Sequence, residues 1–231
     1  MTNTRNPMHI QAGSEKIDAR FAAVAKSRTF RNIVHSLGLD KKAVLDVGCS
    51  YGEHLAHFGP GSTGVTINPK EAEEGRRRGL DMVLGNIEEM TDIKKKYDVI
   101  YCNNLLEHLY SPHAFLYRIR TILAPGGLLV LGVPVLPFPQ WLTRIRKFRG
   151  ALAGAHINFF DSGTLALTVE RAGWQIREIR GFRLPFRAVD LLVTFLYPHL
   201  YVLAEPDPAF SYDEKRLHEL AGYTHYNPRP S

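Results

Sequence analysis

A short apolar run that ends in glycines constrains the fold more than any other part of this sequence. Residues 43–47 form the run, Asp46 lies near its end, and Gly48 and Gly52 follow. This pattern is typical of a buried strand that turns into a helix, here predicted at residues 53–58. Glycines let a ligand approach the backbone, and the free N–H groups at a helix start favour an anionic group. In open α/β sheets the crevice at such a turn binds ligands.

The segments that follow alternate between strands and helices. Further strands are predicted at residues 63–67, 82–84, 97–102, 128–133, 174–180 and 201–204. Helices are predicted at residues 15–37 (one or two helices), 69–78, 112–123, 139–149, 162–172 and 186–197. Asn68 and Asp161 are well placed to cap two of these helices. The alternation predicts an α/β fold with a doubly wound, mainly parallel sheet and right-handed crossovers.

Composition limits the class of protein. A length of 231 residues with 45% hydrophobic residues indicates one globular domain with a sizeable core. Neither Cys49 nor Cys102 belongs to a Cys-x-x-Cys motif, so both are expected to be reduced thiols in a cytoplasmic protein. The N-terminus lacks the apolar core of a signal peptide, and the uncharged stretches 121–143 and 191–204 are broken by proline or too short to span a bilayer. The net charge of +6 hints at anionic partners.

Five motifs occur in a fixed order: VLDVGCSYG at 44–52, YDVIYCNNLLEH at 97–108, LAPGGLLV at 123–130, HINFF at 156–160 and AGW at 172–174. In this order and spacing the chain resembles the class I S-adenosylmethionine-dependent methyltransferases, and among them the broad small-molecule methyltransferase group. The resemblance implies a Rossmann-like, seven-stranded sheet with helices on both faces and S-adenosylmethionine as the cofactor. It divides the single domain of residues 1–231 into an N-terminal helical cap (1–40), a cofactor-binding core (41–133) and a substrate-side part with the last strands and tail (134–231).

The resemblance also implies which residues hold the cofactor. The backbone of the glycine turn would take the methionine end and the ribose, with Asp46 organising the turn or approaching the ammonium group. Thr66 stands where the family usually has an acidic residue for the ribose hydroxyls, and Asn86 where it often has an aspartate for the adenine amine. Both neutral side chains can form hydrogen bonds, although without the help of a charge. The complete predicted set is Asp46, Gly48, Cys49, Ser50, Gly52, Thr66, Ile67, Asn68, Asn86, Ile87 and Asn103.

Methyl transfer is an in-line displacement, and a base assists it when the acceptor is a hydroxyl oxygen. His156 is the first candidate base because it precedes the family-like Asn-Phe-Phe turn on the substrate side, and His108 is the second. Glu107 could face the substrate or the cofactor. The alternative is that Glu107 and His108 only begin a helix with satisfied polar groups, since a lone histidine in a loop is usually structural. Carboxylate pairs with metal-ligand spacing are not evident, so no metal is predicted.

The acceptor is expected to be a small molecule, a glycan precursor or a lipid-linked sugar. Segments 134–160 and 181–204 are rich in aromatic residues, proline, leucine and arginine, which suits an apolar or amphipathic acceptor bearing an anionic group. The basic segment 139–149 could rest on the inner face of an anionic membrane, although a lid with a solvated charged face is the simpler interpretation. Two alternatives stay open. One is a nucleic-acid (RNA) methyltransferase, disfavoured by the dispersed positive charge, and the other is a non-catalytic methyltransferase-like binding protein.

Overall fold

The computed structural model describes residues 14–89, 93, 95–184 and 186–216. The strands in this part of the chain are β1 (Val44–Val47), β2 (Thr63–Thr66), β3 (Met82–Leu84), β4 (Tyr97–Asn103), β5 (Leu123–Pro134), β6 (Trp174–Arg180) and β7 (His199–Pro206). They form one sheet in the order β3-β2-β1-β4-β5-β7-β6. Strands β1 to β5 are parallel, whereas β7 runs antiparallel to both β5 and β6. The predicted doubly wound, mainly parallel sheet is confirmed.

Helices cover both faces of this sheet, as the sequence predicts. They are α1 (Ser14–Lys26), α2 (Arg28–Leu37), α3 (Pro69–Arg77), α4 (Pro112–Ile119), α5 (Ser162–Arg171) and α6 (Arg187–Leu192). One hydrophobic cluster joins α2 to one face of the sheet, and a larger cluster joins α4 and α5 to the other face. Asn68 and Asp161 cap α3 and α5, because their side chains accept the backbone N–H groups of Lys70 and Thr164. Among the described helices, none has the length and apolar character needed to cross a membrane.

The strand order creates a crevice at the carboxyl edge of the sheet. From β1 the chain moves outward through β2 and β3, and then returns to the other side of β1 with β4. The loops after β1 and β4 therefore leave the sheet side by side, which is where ligands bind in open α/β sheets. The two loops are in contact, since a Cβ atom added to Gly48 would lie 3.1 Å from Leu105 Cδ1.

The helix predicted at residues 53–58 is wrong. This segment contains only a 3-10 turn at Leu55–His57. The backbone N–H of Leu55 bonds to the buried Asp46 carboxylate, and so short a segment cannot repay the cost of helix nucleation. The N–H groups of Gly48 and Cys49 both donate to the Val65 carbonyl, at 2.9 and 3.1 Å. The helix start predicted to bind an anionic group is therefore absent here. Because these two N–H groups are already bonded within the protein, side chains are left as the main polar groups for a ligand in this part of the crevice.

The amphipathic helix predicted at residues 139–149 is also wrong. Three short 3-10 turns follow one another instead, at Gln140–Arg144, Arg146–Phe148 and Gly150–Leu152. The Arg149 guanidinium donates to the carbonyls of Thr143 and Arg144, at 2.9 and 3.3 Å. The segment has several basic residues and no acidic residue to pair with them, so like charges disfavour a continuous helix.

Several boundaries differ from the predicted ones by a few residues. The helix predicted at 112–123 ends at Ile119, and the strand predicted from residue 128 already begins at Leu123. The helix predicted at 186–197 ends at Leu192, and the last strand extends from His199 to Pro206. The first 13 residues of the predicted cap and the tail from residue 217 lie outside the described residues.

Candidate active site

The glycine turn after β1 has an unusual backbone. Gly48, Ser50 and Gly52 have φ angles of 74°, 52° and 88°. A Cβ atom on Gly52 would lie 2.5 Å from Leu80 Cδ1, so only glycine fits there without a shift of the neighbouring side chain. Ser50 adopts the left-handed region although it carries a side chain, and its hydroxyl donates to Glu71 at 3.2 Å.

Asp46 lies beneath this turn and is 2% exposed. One carboxylate oxygen, Oδ2, has no hydrogen-bond partner among the described residues. Burial, and next the charge of Glu53, raises the pKa of Asp46 to about 8. A buried carboxylate oxygen without a partner suits a cationic or N–H group of a ligand, so the residues present fit the ammonium end of S-adenosylmethionine.

Arg20 of α1 reaches over the turn, which the sequence analysis does not predict. Its Nε atom lies 2.5 Å from Glu53 Oε1, and its Nη2 donates to Ser50 Oγ at 3.0 Å. Its guanidinium also lies over the Tyr51 ring, 5.1 Å from the centroid. Arg20 therefore links α1 to the glycine turn. An arginine on an amphipathic helix has no sequence signal that would single it out.

The polar side chains at the end of β2 already have hydrogen-bond partners within the protein. The Thr66 hydroxyl is buried and donates to Glu71 Oε2 at 2.7 Å, while the Asn68 side chain is used in capping α3. Ile67 is 68% exposed and offers an apolar surface at the strand end. The Cys49 thiol points away into a small buried cluster with Met82, so only its backbone could face a ligand.

The ends of β3 and β4 hold the remaining predicted cofactor residues. Asn86 Oδ1 accepts the backbone N–H of Glu88 at 3.0 Å, and Ile87 is buried beside it. Asn103 closes β4, and its Oδ1 atom is buried without a hydrogen-bond partner in the described part of the chain. Its side chain lies over Gly132, where a Cβ atom would be 2.3 Å from Oδ1. Asn103 thus has a buried acceptor at the carboxyl end of β4 that the described residues leave without a donor.

The three predicted catalytic residues meet in one place, which we call the Glu–His cluster (Glu107, His108 and His156). The Nε2 atoms of both histidines lie 3.9 Å from Glu107 Oε1. The Nδ1 atoms of His108 and His156 lie 3.1 and 3.0 Å from the carbonyl oxygens of Ala155 and Ala151. Because a carbonyl can only accept, each Nδ1 carries a proton when the ring is neutral, and each Nε2 keeps a lone pair near Glu107.

Backbone hydrogen bonds hold this cluster together. The N–H groups of Ile157 and Asn158 both donate to the Glu107 carbonyl, at 2.9 and 3.0 Å. The side-chain Nδ2 of Asn158 also donates to the carbonyls of Leu106 and Leu109, at 3.4 and 2.7 Å. The segment after His156 is therefore attached to the turn that follows β4, although the two are far apart in sequence.

The Glu107 side chain is 1% exposed, and neither of its oxygens has a hydrogen-bond partner among the described residues. Glu107 lies in a short 3-10 turn at Leu106–His108, but its side chain is not satisfied there, which counts against the alternative of a helix start with satisfied polar groups. Burial raises the pKa of Glu107 to about 7 and lowers the pKa of His108. Glu107 can therefore take up or release a proton near neutral pH. Its three ligand atoms lie within 4.8 Å of one another and could also hold a metal ion, so the absence of a metal stays a prediction.

The sheet order, the glycine turn and the crevice between β1 and β4 define a class I methyltransferase fold. Residues 20–179 match the family model described as a methyltransferase domain. The chain belongs to this family, that of the class I S-adenosylmethionine-dependent methyltransferases.

Curated relatives share part of this chain. The ubiquinone biosynthesis O-methyltransferase of Coxiella burnetii is 32% identical over 164 residues, which cover 64% of this chain and 70% of that protein. The mitochondrial ubiquinone biosynthesis O-methyltransferase of Schizosaccharomyces pombe is 29% identical over 157 residues, covering 61% of this chain. The match spans 57% of the Schizosaccharomyces pombe protein, and a match to the Erwinia tasmaniensis enzyme of the same name spans 42% of that protein.

Solved structures share the fold. A TehB-like S-adenosylmethionine-dependent methyltransferase from Corynebacterium glutamicum aligns with a TM-score of 0.59 at 18% identity, over 87% of this chain and 100% of that chain. An S-adenosylmethionine-dependent methyltransferase from Mesorhizobium loti aligns with a TM-score of 0.58 at 16% identity, over 78% of this chain and 99% of that chain. At these identities the likeness concerns the fold alone.

Proposed function

We propose that this enzyme transfers a methyl group to a hydroxyl oxygen of a small-molecule acceptor, with the Glu–His cluster receiving the hydroxyl proton. The observation that supports this most is the position of two imidazole lone pairs beside a buried carboxylate at the carboxyl edge of the sheet. The curated relatives are named as O-methyltransferases of ubiquinone biosynthesis, which also supports methyl transfer to an oxygen.

His156 is the proposed base. Its Nδ1–H is held by the Ala151 carbonyl, so its Nε2 can accept a proton from an acceptor hydroxyl. The imidazolium formed would lie 3.9 Å from Glu107, whose negative charge stabilises it. His108 stands in the same relation to Glu107 and is the alternative proton acceptor.

When bound, S-adenosylmethionine supplies a methyl group that is already activated by its sulfonium. The protein therefore has to align the acceptor oxygen and remove its proton, and alignment alone is worth a large part of the barrier. Asp46 and Asn103 present partnerless buried oxygens at the crevice, and they are the proposed contacts for the polar groups of the cofactor. The Glu–His cluster is the proposed contact for the acceptor hydroxyl.

The acceptor is proposed to be amphipathic. Large apolar side chains are exposed on the substrate-side part, and they include Phe138, Trp141, Ile145, Leu152, Ile157, Phe159, Phe186 and Leu192. Arginines lie among them at positions 144, 146 and 149, and residues 134–160 contain no acidic residue. Ubiquinone-pathway intermediates and lipid-linked small molecules with a free hydroxyl are the acceptors to test first.

The same surface supports peripheral contact with an anionic membrane. Exposed apolar side chains flanked by arginines are typical of surfaces that rest on lipid headgroups. Co-sedimentation with vesicles tests this, and we expect binding to anionic vesicles, weaker binding to zwitterionic ones, and loss when Arg144, Arg146 and Arg149 are changed to Gln. If this variant and the native protein co-sediment equally with anionic vesicles, the proposed membrane contact is contradicted.

The test of the proposed reaction is transfer of a labelled methyl group to a panel of hydroxyl acceptors. With an accepted substrate, His156→Gln should lower kcat by about 100-fold or more, because general base catalysis contributes about 10²–10⁴-fold. The affinity for S-adenosylhomocysteine should be unchanged, and His35→Ala, an exposed histidine on α2, should behave as the native enzyme. An unchanged kcat in His156→Gln would remove it as the base. Cofactor binding without turnover on any acceptor class would favour a non-catalytic role.

A further inference from the structure

Glu71 is a carboxylate at the crevice that the sequence analysis does not assign. It lies in the first turn of α3 and is partly buried. The Thr66 hydroxyl donates to Glu71 Oε2 at 2.7 Å, and the Ser50 hydroxyl donates to Oε1 at 3.2 Å. These two donors come from the end of β2 and from the glycine turn, so the carboxylate joins the two segments that frame one side of the crevice.

The partners of Glu71 are neutral, which distinguishes it from its neighbour on the same helix. Glu74 forms ion pairs with Arg77 and Arg78, at 2.7 Å each. Within the described residues, no cationic side chain pairs with Glu71. A carboxylate has about four lone-pair sites, and two hydroxyl donors occupy only part of them. Glu71 therefore keeps hydrogen-bonding capacity for a ligand with adjacent hydroxyl groups.

Thr66 is already committed by its own contacts. Its hydroxyl proton goes to Glu71, and its oxygen accepts the backbone N–H of Asn68 at 3.2 Å. Thr66 thus orients a carboxylate rather than offering a donor to the crevice. In nucleotide-binding α/β folds a carboxylate about 20 residues after the first glycine turn accepts the ribose hydroxyls. Glu71 follows the turn at about this distance in the chain.

We propose that Glu71, oriented by Thr66 and Ser50, accepts the ribose hydroxyls of S-adenosylmethionine. This assignment replaces the ribose contact expected at Thr66, and it makes Thr66 a positioning residue. The proposal depends on the cofactor alone and not on the acceptor or the base. If Glu71 does not contact the ribose, the proposed O-methylation still stands. If the acceptor is not methylated at a hydroxyl oxygen, the ribose contact of Glu71 still stands.

The experiment is calorimetric titration with S-adenosylhomocysteine and with its 2′-deoxy and 3′-deoxy analogues. Glu71→Ala should weaken binding of S-adenosylhomocysteine about 10- to 100-fold, the range for lost hydrogen bonds to a charged group. Removing a ribose hydroxyl should weaken binding to the native protein but not further weaken binding to Glu71→Ala, because the two changes remove the same interaction. Glu73→Ala, an exposed glutamate on the same helix, is the matched control and should bind all three ligands normally.

Two further variants separate a ribose contact from support of the turn. Glu71→Gln keeps the shape and can still receive the Thr66 hydroxyl, so it should fold and still lose most of the preference for the hydroxyls. Thr66→Val should weaken binding less and keep that preference. The proposal is overturned if Glu71→Ala loses the same factor for all three ligands, if it binds as the native protein does, or if Thr66→Val alone abolishes the preference.

Discussion

Cofactor binding is expected to release a proton from Asp46. With a pKa of about 8, this buried carboxyl is about nine-tenths protonated at pH 7 in the unliganded protein. A cationic ligand group beside a carboxylate lowers its pKa by about 1 to 3. A fall of about 2, to a pKa near 6, leaves it about one-tenth protonated at pH 7, a release of about 0.8 proton per ligand.

The same values fix the pH dependence of the affinity. The native protein should bind about 25-fold more tightly at pH 8 than at pH 6, because ionisation of Asp46 costs less as the pH approaches 8. Asp46→Asn cannot ionise but keeps the shape and the acceptor for Leu55. It should therefore bind within about twofold of the native protein at pH 6 and about 50-fold more weakly at pH 8.

Calorimetric titration with S-adenosylhomocysteine in buffers of different ionisation enthalpy measures both quantities. The dependence of the binding enthalpy on the buffer counts the protons released. The free ligand is the same in both titrations, so the difference in proton release between native and Asp46→Asn measures Asp46 together with the ammonium group that it contacts. Burial also raises the pKa of Glu53, and Glu53→Gln serves as the control for that group. Equal proton release by native and Asp46→Asn would refute the reasoning.

Four other outcomes are expected. Asp46→Asn should gain thermal stability over the native protein as pH rises from 5 to 8, because the contribution of Asp46 to stability is complete below about pH 4 and is lost as pH rises through its folded-state pKa of about 8. Gly48→Val should abolish binding of S-adenosylhomocysteine, because a side chain at this φ of 74° would meet Leu105 beside the crevice. The circular dichroism spectrum should stay that of the native protein. Asp190→Ala should lower the free energy of unfolding in urea by about 3 kcal/mol or more, because three backbone N–H groups and the Tyr197 hydroxyl lose their acceptor. A chelator should leave turnover unchanged, whereas a loss that a divalent ion restores would show that the Glu–His cluster works through a metal.

The sheet was predictable because most strands are local apolar runs bounded by turn residues, and β6 alternates apolar with polar residues in the pattern of a strand with one solvated face. The two failed helices show what local patterns omit. At residues 53–58 the N–H of Leu55 donates to Asp46 of β1. The periodicity of the segment itself cannot show this contact with another strand. At residues 139–149 the apolar spacing is helical, but Arg149 bonds the carbonyls of Thr143 and Arg144 and no acidic residue balances the charge.

The candidate site was predictable in its residue types and less so in its connections. Glu107 and His156 stand in recognisable motifs. Their side chains lie close together because the N–H groups of Ile157 and Asn158 donate to the Glu107 carbonyl, and these long-range bonds form only in the folded chain. Glu71 is the clearest omission. The spacing of Asn68 and Glu71 is that of a capping box, which predicts a purely local role, whereas the folded chain turns the carboxylate toward Ser50.

The place of β7 in the sheet has a consequence for synthesis of the protein. This strand comes last among the described strands, yet it lies between β5 and β6 and is the only described strand that pairs with β6. On the ribosome, β6 must therefore wait without a partner until residue 206 has emerged from the exit tunnel. A nascent chain that stalls before this point would leave β6 without a partner strand and the outer edge of β5 unpaired, and unpaired strand edges are templates for aggregation. Chaperone protection of the emerging chain is most needed while residues 174–206 are being made.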